Sequence, residues 1–282
     1  MSNVISHTKS SGILICGGNI KDEAVKNSFD AIISFNTLRN CQSDGIAILN
    51  AFKFERIEVT DNEVFENSGN GIYLSSVISE SEKDNALLTS NKIFNNETNG
   101  VFVVDTMCKF KKCEFEHNNG KGMLITTSNS KLEPRISIEG CLIKNNKCTG
   151  IGLIRTKGSK IRIESCKVVA NENYGLEIAD KDNNEQLKDD IMTNEQNINI
   201  LLKEGEISDN QKGGIALSNG QQLLIDKSCI KNNSNLAISI SSKGKVKYSE
   251  RTLEDKRIIG IVKQHHKEIN IYKSTGCQCV IL

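Results

Sequence analysis

The sequence is poor in proline and aromatic residues: its 282 residues include one proline and no tryptophan, and aromatic side chains make up 5%. Its formal net charge is only +1, so composition gives no sign of a nucleic-acid partner. The chain shows no basic and apolar N-terminal leader, and no run approaches the about 20 apolar residues that a membrane span needs. We therefore predict a cytoplasmic protein with one repetitive core.

Ten cysteines are present, and no pair of them has zinc-finger spacing. Because thiols stay reduced inside a cell, we predict free cysteines rather than a disulfide framework. Cys113, Cys141 and Cys166 occupy equivalent positions of the repeat described below, so we expect them to stack as small, half-buried side chains. Neither a metal site nor a cofactor is predicted.

One short pattern recurs along the chain. In residues 141–154, two asparagines and a Thr-Gly pair precede an apolar residue at every second position. Such alternation indicates a strand, whereas Asn and Gly indicate turns with left-handed backbone. The pattern is anchored on nine positions, with alanine in the last copy: Gly12, Gly45, Gly71, Gly100, Gly122, Gly150, Gly175, Gly214 and Ala237.

Three strand-sized apolar columns keep step with that glycine, and a polar column lies four residues before it. The polar column consists of Asn67, Asn96, Asn118, Asn146, Asn171, Asn210 and Asn233. An asparagine amide can bond to the same amide one coil above, so this column is predicted to fix tight corners. Three short strands per turn predict an all-β, single-stranded parallel β-helix of about nine coils.

The repeat resembles the right-handed parallel β-helix repeat family throughout residues 3–241. We predict a β-helix over residues 1–241, a capping segment over 242–272 and a flexible tail over 273–282. The first coil starts at Asn3, partway around, so its strand edges are unpaired. We expect that another domain or a partner covers this end, or that the chain is the tail of a longer protein.

Many β-helices that resemble this one cleave acidic polysaccharides. Those families place catalytic carboxylates, or a base with a Ca²⁺ cluster, on one outward column of strand residues, beside long loops. The insertions here follow the strand after each glycine, so the outward column of that strand would be the floor of a cleft. Its members are Leu14, Ala47, Tyr73, Phe102, Leu124, Gly152, Glu177, Ala216 and Ser239. The column supplies one carboxylate, whereas glycoside hydrolysis needs two, so no catalytic residue is predicted.

Four apolar side chains on this column, Leu14, Tyr73, Phe102 and Leu124, instead predict a stripe that binds a protein or an extended peptide. The alternative is that inserted loops fold back over the stripe. Asp189-Asp190 lies in a polar insertion and is interpreted as a solvated loop, with a Ca²⁺ or partner contact as the alternative.

The final four residues, Cys279 to Leu282, resemble the CaaX prenylation signal, and a terminal Leu favours geranylgeranyl transfer. One lipid gives only marginal membrane residence, so Cys277 is the candidate for a second, palmitoyl group. A β-helix with this tail resembles the substrate-recognition region of eukaryotic F-box proteins, which implies a ubiquitin-ligase context. The expected partners are an unidentified protein, a prenyltransferase and a membrane.

From these features we predict a non-enzymatic interaction scaffold or substrate-recognition module, cytoplasmic and membrane-associated through its lipid. The alternative is a carbohydrate-active enzyme of the β-helix class, either a polysaccharide lyase or a glycoside hydrolase.

Prenylation at Cys279 has a direct test by intact mass. Protein from a eukaryotic host should gain a geranylgeranyl group and lose the three residues that follow Cys279. Cell fractionation should find the Cys279→Ser variant in the cytosol, whereas Cys277→Ser should weaken membrane attachment only in part. Unmodified, soluble wild-type protein from a prenylating host would refute the prediction.

Overall fold

The computed structural model describes residues 2–17, 30–52, 54–79, 86–128, 133–156, 158–179, 200–218, 222–234, 236–240, 245–248 and 262–264. Within these ranges the secondary structure consists of 28 strands, without a helix. The strands form three parallel sheets of nine, ten and nine strands, named sheets 1, 2 and 3.

Sheet 1 consists of β1 (Val4–Ser6), β4 (Thr37–Arg39), β7 (Glu63–Phe65), β10 (Lys92–Phe94), β13 (Glu114–Glu116), β16 (Leu142–Lys144), β19 (Lys167–Val169), β22 (Glu206–Ser208) and β25 (Cys229–Lys231). Sheet 2 consists of β2 (Ile13–Cys16), β5 (Ile46–Leu49), β8 (Ile72–Ser75), β11 (Val101–Val104), β14 (Met123–Thr126), β17 (Ile151–Ile154), β20 (Tyr174–Ala179), β23 (Gly213–Leu217), β26 (Leu236–Ile240) and β28 (Val262–Gln264). Sheet 3 consists of β3 (Asp30–Ser34), β6 (Arg56–Thr60), β9 (Ala86–Thr89), β12 (Cys108–Lys111), β15 (Arg135–Glu139), β18 (Lys160–Glu164), β21 (Ile200–Lys203), β24 (Gln222–Asp226) and β27 (Lys245–Tyr248).

The chain passes through sheets 1, 2 and 3 in turn and returns to sheet 1 one coil further on. Equivalent residues of the repeat lie side by side, as in the pairing of Ile46 with Ile72. This winding confirms the predicted all-β parallel β-helix, although its coil count departs slightly from the prediction. Of the predicted capping segment, 242–272, the structure describes only β27 and β28, which extend sheets 3 and 2.

The inward side chains of the three sheets form one continuous apolar core. Isoleucine, leucine and valine fill most of it, and Phe110 packs edge-on against Phe115 with ring centroids 6.0 Å apart. Each sheet contributes alternate residues, because successive side chains of a strand point to opposite faces. The outward residues of the same strands therefore remain available for surface chemistry.

The asparagine column forms a ladder of hydrogen bonds at the corner between sheets 1 and 2. Each side-chain Nδ2 donates to the Oδ1 of the next asparagine, at 3.0 Å from Asn118 to Asn146 and 2.9 Å from Asn146 to Asn171. The backbone N–H of Asn146 donates to the same Oδ1 of Asn171 at 3.1 Å. Buried corners keep their polar groups satisfied in this way.

Left-handed backbone lies one residue before the ladder, not at the asparagines themselves. Residues of several types adopt it, including His117 (φ 53°), Asn145 (φ 55°) and Ala170 (φ 54°). The ladder residue that follows turns its side chain inward to make the hydrogen bonds. The corner therefore does not depend on glycine, and the chain accepts the cost of left-handed backbone at ordinary residues.

The stacked cysteines are fully buried rather than half-buried. Cys113 donates from Sγ to the carbonyl oxygen of Leu88 at 3.4 Å, and Cys166 donates to that of Ile138 at 3.3 Å. The eight cysteines in the described ranges are free thiols. Burial raises the pKa of the Cys108 thiol far above its ordinary value. The buried thiols act as small packing groups.

Replacing Asn146 tests the ladder. In Asn146→Ala, Asn118 loses its buried acceptor, so the free energy of unfolding should fall by about 1–3 kcal/mol or more. Thermal or urea unfolding measures this change. Asn119→Ala is the matched control, because Asn119 is exposed and adjacent to the ladder, and it should change stability by less than about 0.5 kcal/mol. Equal stability of the two variants would contradict a structural ladder.

Candidate functional site

The outward column of sheet 2 forms a continuous strip of side chains along the rod. In register order it runs Leu14, Ala47, Tyr73, Phe102, Leu124, Gly152, Glu177, Ala216 and Ser239. The rings of Tyr73 and Phe102 stack with centroids 5.3 Å apart and planes 16° from parallel. The strip is therefore apolar on one side of Gly152 and charged at Glu177.

Glu177 is held by two donors. Lys121 Nζ lies 2.6 Å from Oε2 of Glu177, and the buried hydroxyl Thr149 Oγ1 donates to the same oxygen at 3.2 Å. The ion pair is partly sheltered, since the Lys121 side chain is only 15% exposed. The two donors fix the position of the carboxylate.

Gly152 makes room for this contact. It is the one glycine on the outward column, and a Cβ atom there would lie 2.6 Å from Cδ of Lys121. The lysine side chain therefore crosses the face of β17 to reach β20, two coils away, or about 10 Å. The missing side chain creates a notch in the strip, and Lys121 occupies it.

Lys121 begins from a rigid corner. Asp44, Asn70 and Asn99 form a second hydrogen-bonded ladder one residue before the glycine anchor. The backbone N–H of Lys121 donates to Oδ1 of Asn99 at 3.0 Å and so extends that ladder. The lysine backbone is therefore held in place, whereas the long side chain keeps its rotational freedom.

A second cation lies on the same corner. Nζ of Lys212 lies 4.8 Å from the centroid of the Tyr174 ring, and that ring packs against Gly213 of the next coil. Tyr174 opens β20, the strand that also carries Glu177. The charged end of the strip thus has two lysines and one carboxylate, an arrangement suited to an anionic ligand.

Sheet 3 carries a pair of neighbouring carboxylates, Glu139 and Glu164, which are in register on adjacent strands. Lys109 Nζ lies 2.7 Å from Glu139, and Lys203 Nζ lies 2.6 Å from Glu164. The hydrogen bond from Lys109 holds the pKa of Glu139 below its ordinary value. Each carboxylate of this pair is matched by a lysine, so the four side chains form a ladder of alternating charge on the surface of sheet 3.

Three predicted features lie outside the described residues: Asp189-Asp190, Cys277 and Cys279. Prenylation and palmitoylation therefore stay predictions. Among the described residues, no group of three His, Cys, Asp or Glu side chains is placed to hold a metal ion. The described ranges contain no helix with the length and apolar character to cross a bilayer.

Sequence reasoning found Glu177 but missed the residues that hold it. Lys121 and Thr149, which hold Glu177, share with Tyr174 the position one residue before the glycine anchor, and the repeat pattern indicates only a turn there. The available signal was Gly152, the one outward position without a side chain. A glycine in an otherwise filled column marks a close approach by another part of the chain.

Comparisons with known proteins agree with the fold. A family model described as a right-handed β-helix region matches residues 24–191. No curated protein sequence matches the chain. The A-module of the Azotobacter vinelandii mannuronan C-5 epimerase AlgE4 is a similar structure, with a TM-score of 0.52 and 11% sequence identity, over 88% of this chain and 76% of that one.

Phage tailspike structures are similar as well. The enzymatically active domain of tailspike protein 2 from bacteriophage CBA120 has a TM-score of 0.58 and 12% identity, over 95% of this chain and 43% of that one. A full-length tailspike protein 2 from an Escherichia coli O157:H7 bacteriophage has a TM-score of 0.53 and 11% identity, over 96% and 38%. The chain thus spans less than half the length of these tailspike chains.

The prediction of a non-enzymatic scaffold in a ubiquitin-ligase context is corrected by these findings. The similar structures include an epimerase and an enzymatically active domain, and they favour the carbohydrate-active alternative. The prediction was wrong because it searched the outward column for two carboxylates. A carboxylate paired with a lysine suits the removal of a proton from carbon, a reaction that needs no second carboxylate.

The Lys121–Glu177 pair should be replaceable without loss of the fold. In Glu177→Gln the amide oxygen still accepts from Thr149, and a partly exposed ion pair contributes little, so unfolding free energy should fall by about 1 kcal/mol or less. Chemical denaturation measures this. Glu164→Gln, which removes the corresponding contact on sheet 3, is the matched control. If the unfolding free energy fell by more than about 3 kcal/mol in Glu177→Gln but not in Glu164→Gln, the Lys121–Glu177 pair would have a structural role.

Proposed function

The chain belongs to the right-handed β-helix family. We propose that it is a carbohydrate-active enzyme that removes a proton from a uronate sugar of an acidic polysaccharide. The observation that carries the proposal is the single carboxylate of the sheet 2 strip, Glu177, held 2.6 Å from Lys121 beside a notch at Gly152. The similar epimerase, whose name gives mannuronan as its substrate, supports the substrate class.

The strip suits an extended polymer. Its outward residues are spaced by about 4.8 Å along the rod, and the Tyr73–Phe102 pair lies three to four coils from Glu177. A polysaccharide lying along the rod places its apolar C–H groups against the aromatic pair and one carboxylate near the lysines. Binding at several positions orients the reacting sugar.

The chemistry follows from the charge arrangement. The hydrogen at C5 of a uronate lies next to the carboxylate group, and its removal delocalises negative charge onto the carboxylate oxygens. Glu177 accepts this proton as the base, and the Lys121 ammonium turns from Glu177 to the sugar carboxylate, where it stabilises the developing charge. Return of a proton from water to the opposite face gives the C5 epimer. Loss of the C4 substituent, whose oxygen takes a proton from water, gives an unsaturated sugar.

Hydrolysis is less well supported. It requires a general acid and a second carboxylate across the glycosidic bond. The described part of the sheet 2 column holds one carboxylate, and the neighbouring carboxylates Glu139 and Glu164 lie on sheet 3, away from that column. Proton removal needs only one base and one cation, and it is the first step of both epimerisation and elimination.

Deuterium exchange tests the proposal. Incubation of polymannuronate or polygalacturonate with the protein in D₂O should place deuterium at C5, detected by NMR, and elimination would add ultraviolet absorbance from the unsaturated product. Glu177→Gln should lower the rate by about 10²–10⁴-fold because the base is lost. Lys121→Met should lower it by about 10²-fold or more because the charge is lost.

Glu164→Gln is the matched control, since it neutralises a carboxylate of another sheet, and it should keep the wild-type rate. Exchange that persists in Glu177→Gln would contradict the assignment of the base. Release of reducing ends with neither deuterium at C5 nor the ultraviolet absorbance of an unsaturated sugar would replace proton removal with hydrolysis.

A further inference from the structure

The N-terminal end of the β-helix has an exposed apolar rim. Among the described residues, the large hydrophobic side chains classed as exposed are Val4 (67%), Leu14 (53%), Ile32 (53%) and Phe35 (58%). Val4, Leu14 and Ile32 lie on β1, β2 and β3, the outermost strands of the three sheets. Phe35 follows β3 at the next corner. The rim therefore surrounds one end of the rod and is absent from the other described coils.

The interior of this end is also incompletely covered. Ile5, Ile13, Ile15 and Ala31 are only partly buried, whereas the residues that follow them in register, such as Leu38 and Ile46, are fully buried. One edge of β1, β2 and β3 has no neighbouring strand among the described residues. An apolar surface bounded by free strand edges is a template for pairing with another chain.

We propose that this end binds the same end of a second copy, so that two rods join in an end-to-end dimer with two-fold symmetry. A two-fold axis that is perpendicular to the rod and passes through the middle of β2 reverses the direction in which the chain winds. Sheet 2 of one copy then faces sheet 2 of the other, and sheet 1 faces sheet 3. Every strand at the junction meets an antiparallel neighbour.

The apolar rim is complementary to itself under this symmetry. With Leu14 on the axis, Ile13 of one copy lies opposite Ile15 of the other, and both point into the joined core. The edge that carries Val4 faces the edge that carries Ile32. The edge of the first coil rises steadily along the rod because the coil is helical. The two-fold axis gives the edge of the second copy the same slope, so the facing strands stay one strand spacing apart on all three sides.

Charge is compatible with a second copy. The exposed Lys9, at the corner between sheets 1 and 2, faces the start of β3 on the other copy, where Asp30 is exposed. The same symmetry repeats this contact on the opposite side of the axis. The charges of these two described residues are compatible with the antiparallel arrangement.

Sedimentation of the full chain measures the proposed dimer. At micromolar concentration the mass should be twice the 31.1 kDa of one chain. Leu14→Asp and Ile32→Asp should each return it to the mass of one chain, because each places charge at the junction. Leu201→Asp is the matched control, since Leu201 has the same outward position in sheet 3 far from the end, and it should remain dimeric.

Cross-linking separates this junction from other contacts. Because Cys16 is an exposed thiol on the same strand, both cysteine variants are made in a Cys16→Ser background. Leu14→Cys lies on or beside the two-fold axis, so mild oxidation with diamide should give a disulfide-linked dimer on a non-reducing gel. Leu124→Cys, at the same position of a central coil, should stay monomeric on that gel. Monomeric wild-type protein, open-ended filaments, or a dimer that withstands both Asp substitutions would overturn the proposal.

Discussion

In-register stacking of parallel coils is the constraint on which the rest of the structure depends. Each coil has hydrogen bonds to the next through three sheets, and the corner ladder of Asn67 through Asn233 repeats those bonds with side chains. Because the ladder is buried, a slip of one residue would leave amides without partners and turn the apolar faces outward. The stacking therefore fixes register, and register fixes which outward side chains become neighbours. Glu177 meets Lys121 only because the intervening coils keep step.

This architecture separates stability from chemistry. Inward residues and corner amides hold the rod together, whereas outward residues of the same strands are free to differ from coil to coil. Sheet 3 uses that freedom for lysine and glutamate pairs such as Lys203–Glu164, while sheet 2 places an aromatic pair, a notch and a carboxylate in one line. The line matches the direction of an extended polymer. Adding an activity to such a scaffold requires changes at a few outward positions and leaves the core untouched.

The fold could be predicted from the sequence because its signals are local and repeated. The glycine anchor, the apolar columns and the asparagine column each recur in nearly every coil. An error in assigning one copy of the repeat therefore leaves the predicted fold unchanged. The candidate site is different, since it depends on a contact between Lys121 and Glu177 that appears once. Lys121 lies at a corner, and its side chain reaches a strand two coils away. The length of the side chain makes this contact possible, and the repeat pattern of the sequence does not indicate it. The left-handed backbone was expected at the ladder asparagines, but it lies one residue before them. The buried hydrogen bonds of each asparagine set the direction of its side chain, and the local sequence does not show those bonds.

A structure of the Glu177→Gln variant with a bound uronate oligosaccharide tests the account most directly. The substitution keeps the acceptor for Thr149 while removing the proposed base, so substrate should bind without turnover. The account predicts that the sugar chain lies along sheet 2, over Tyr73 and Phe102, with a sugar carboxylate at Nζ of Lys121 and C5 beside residue 177. An oligosaccharide bound along the charge ladder of sheet 3, with Lys121 still against residue 177, would contradict it.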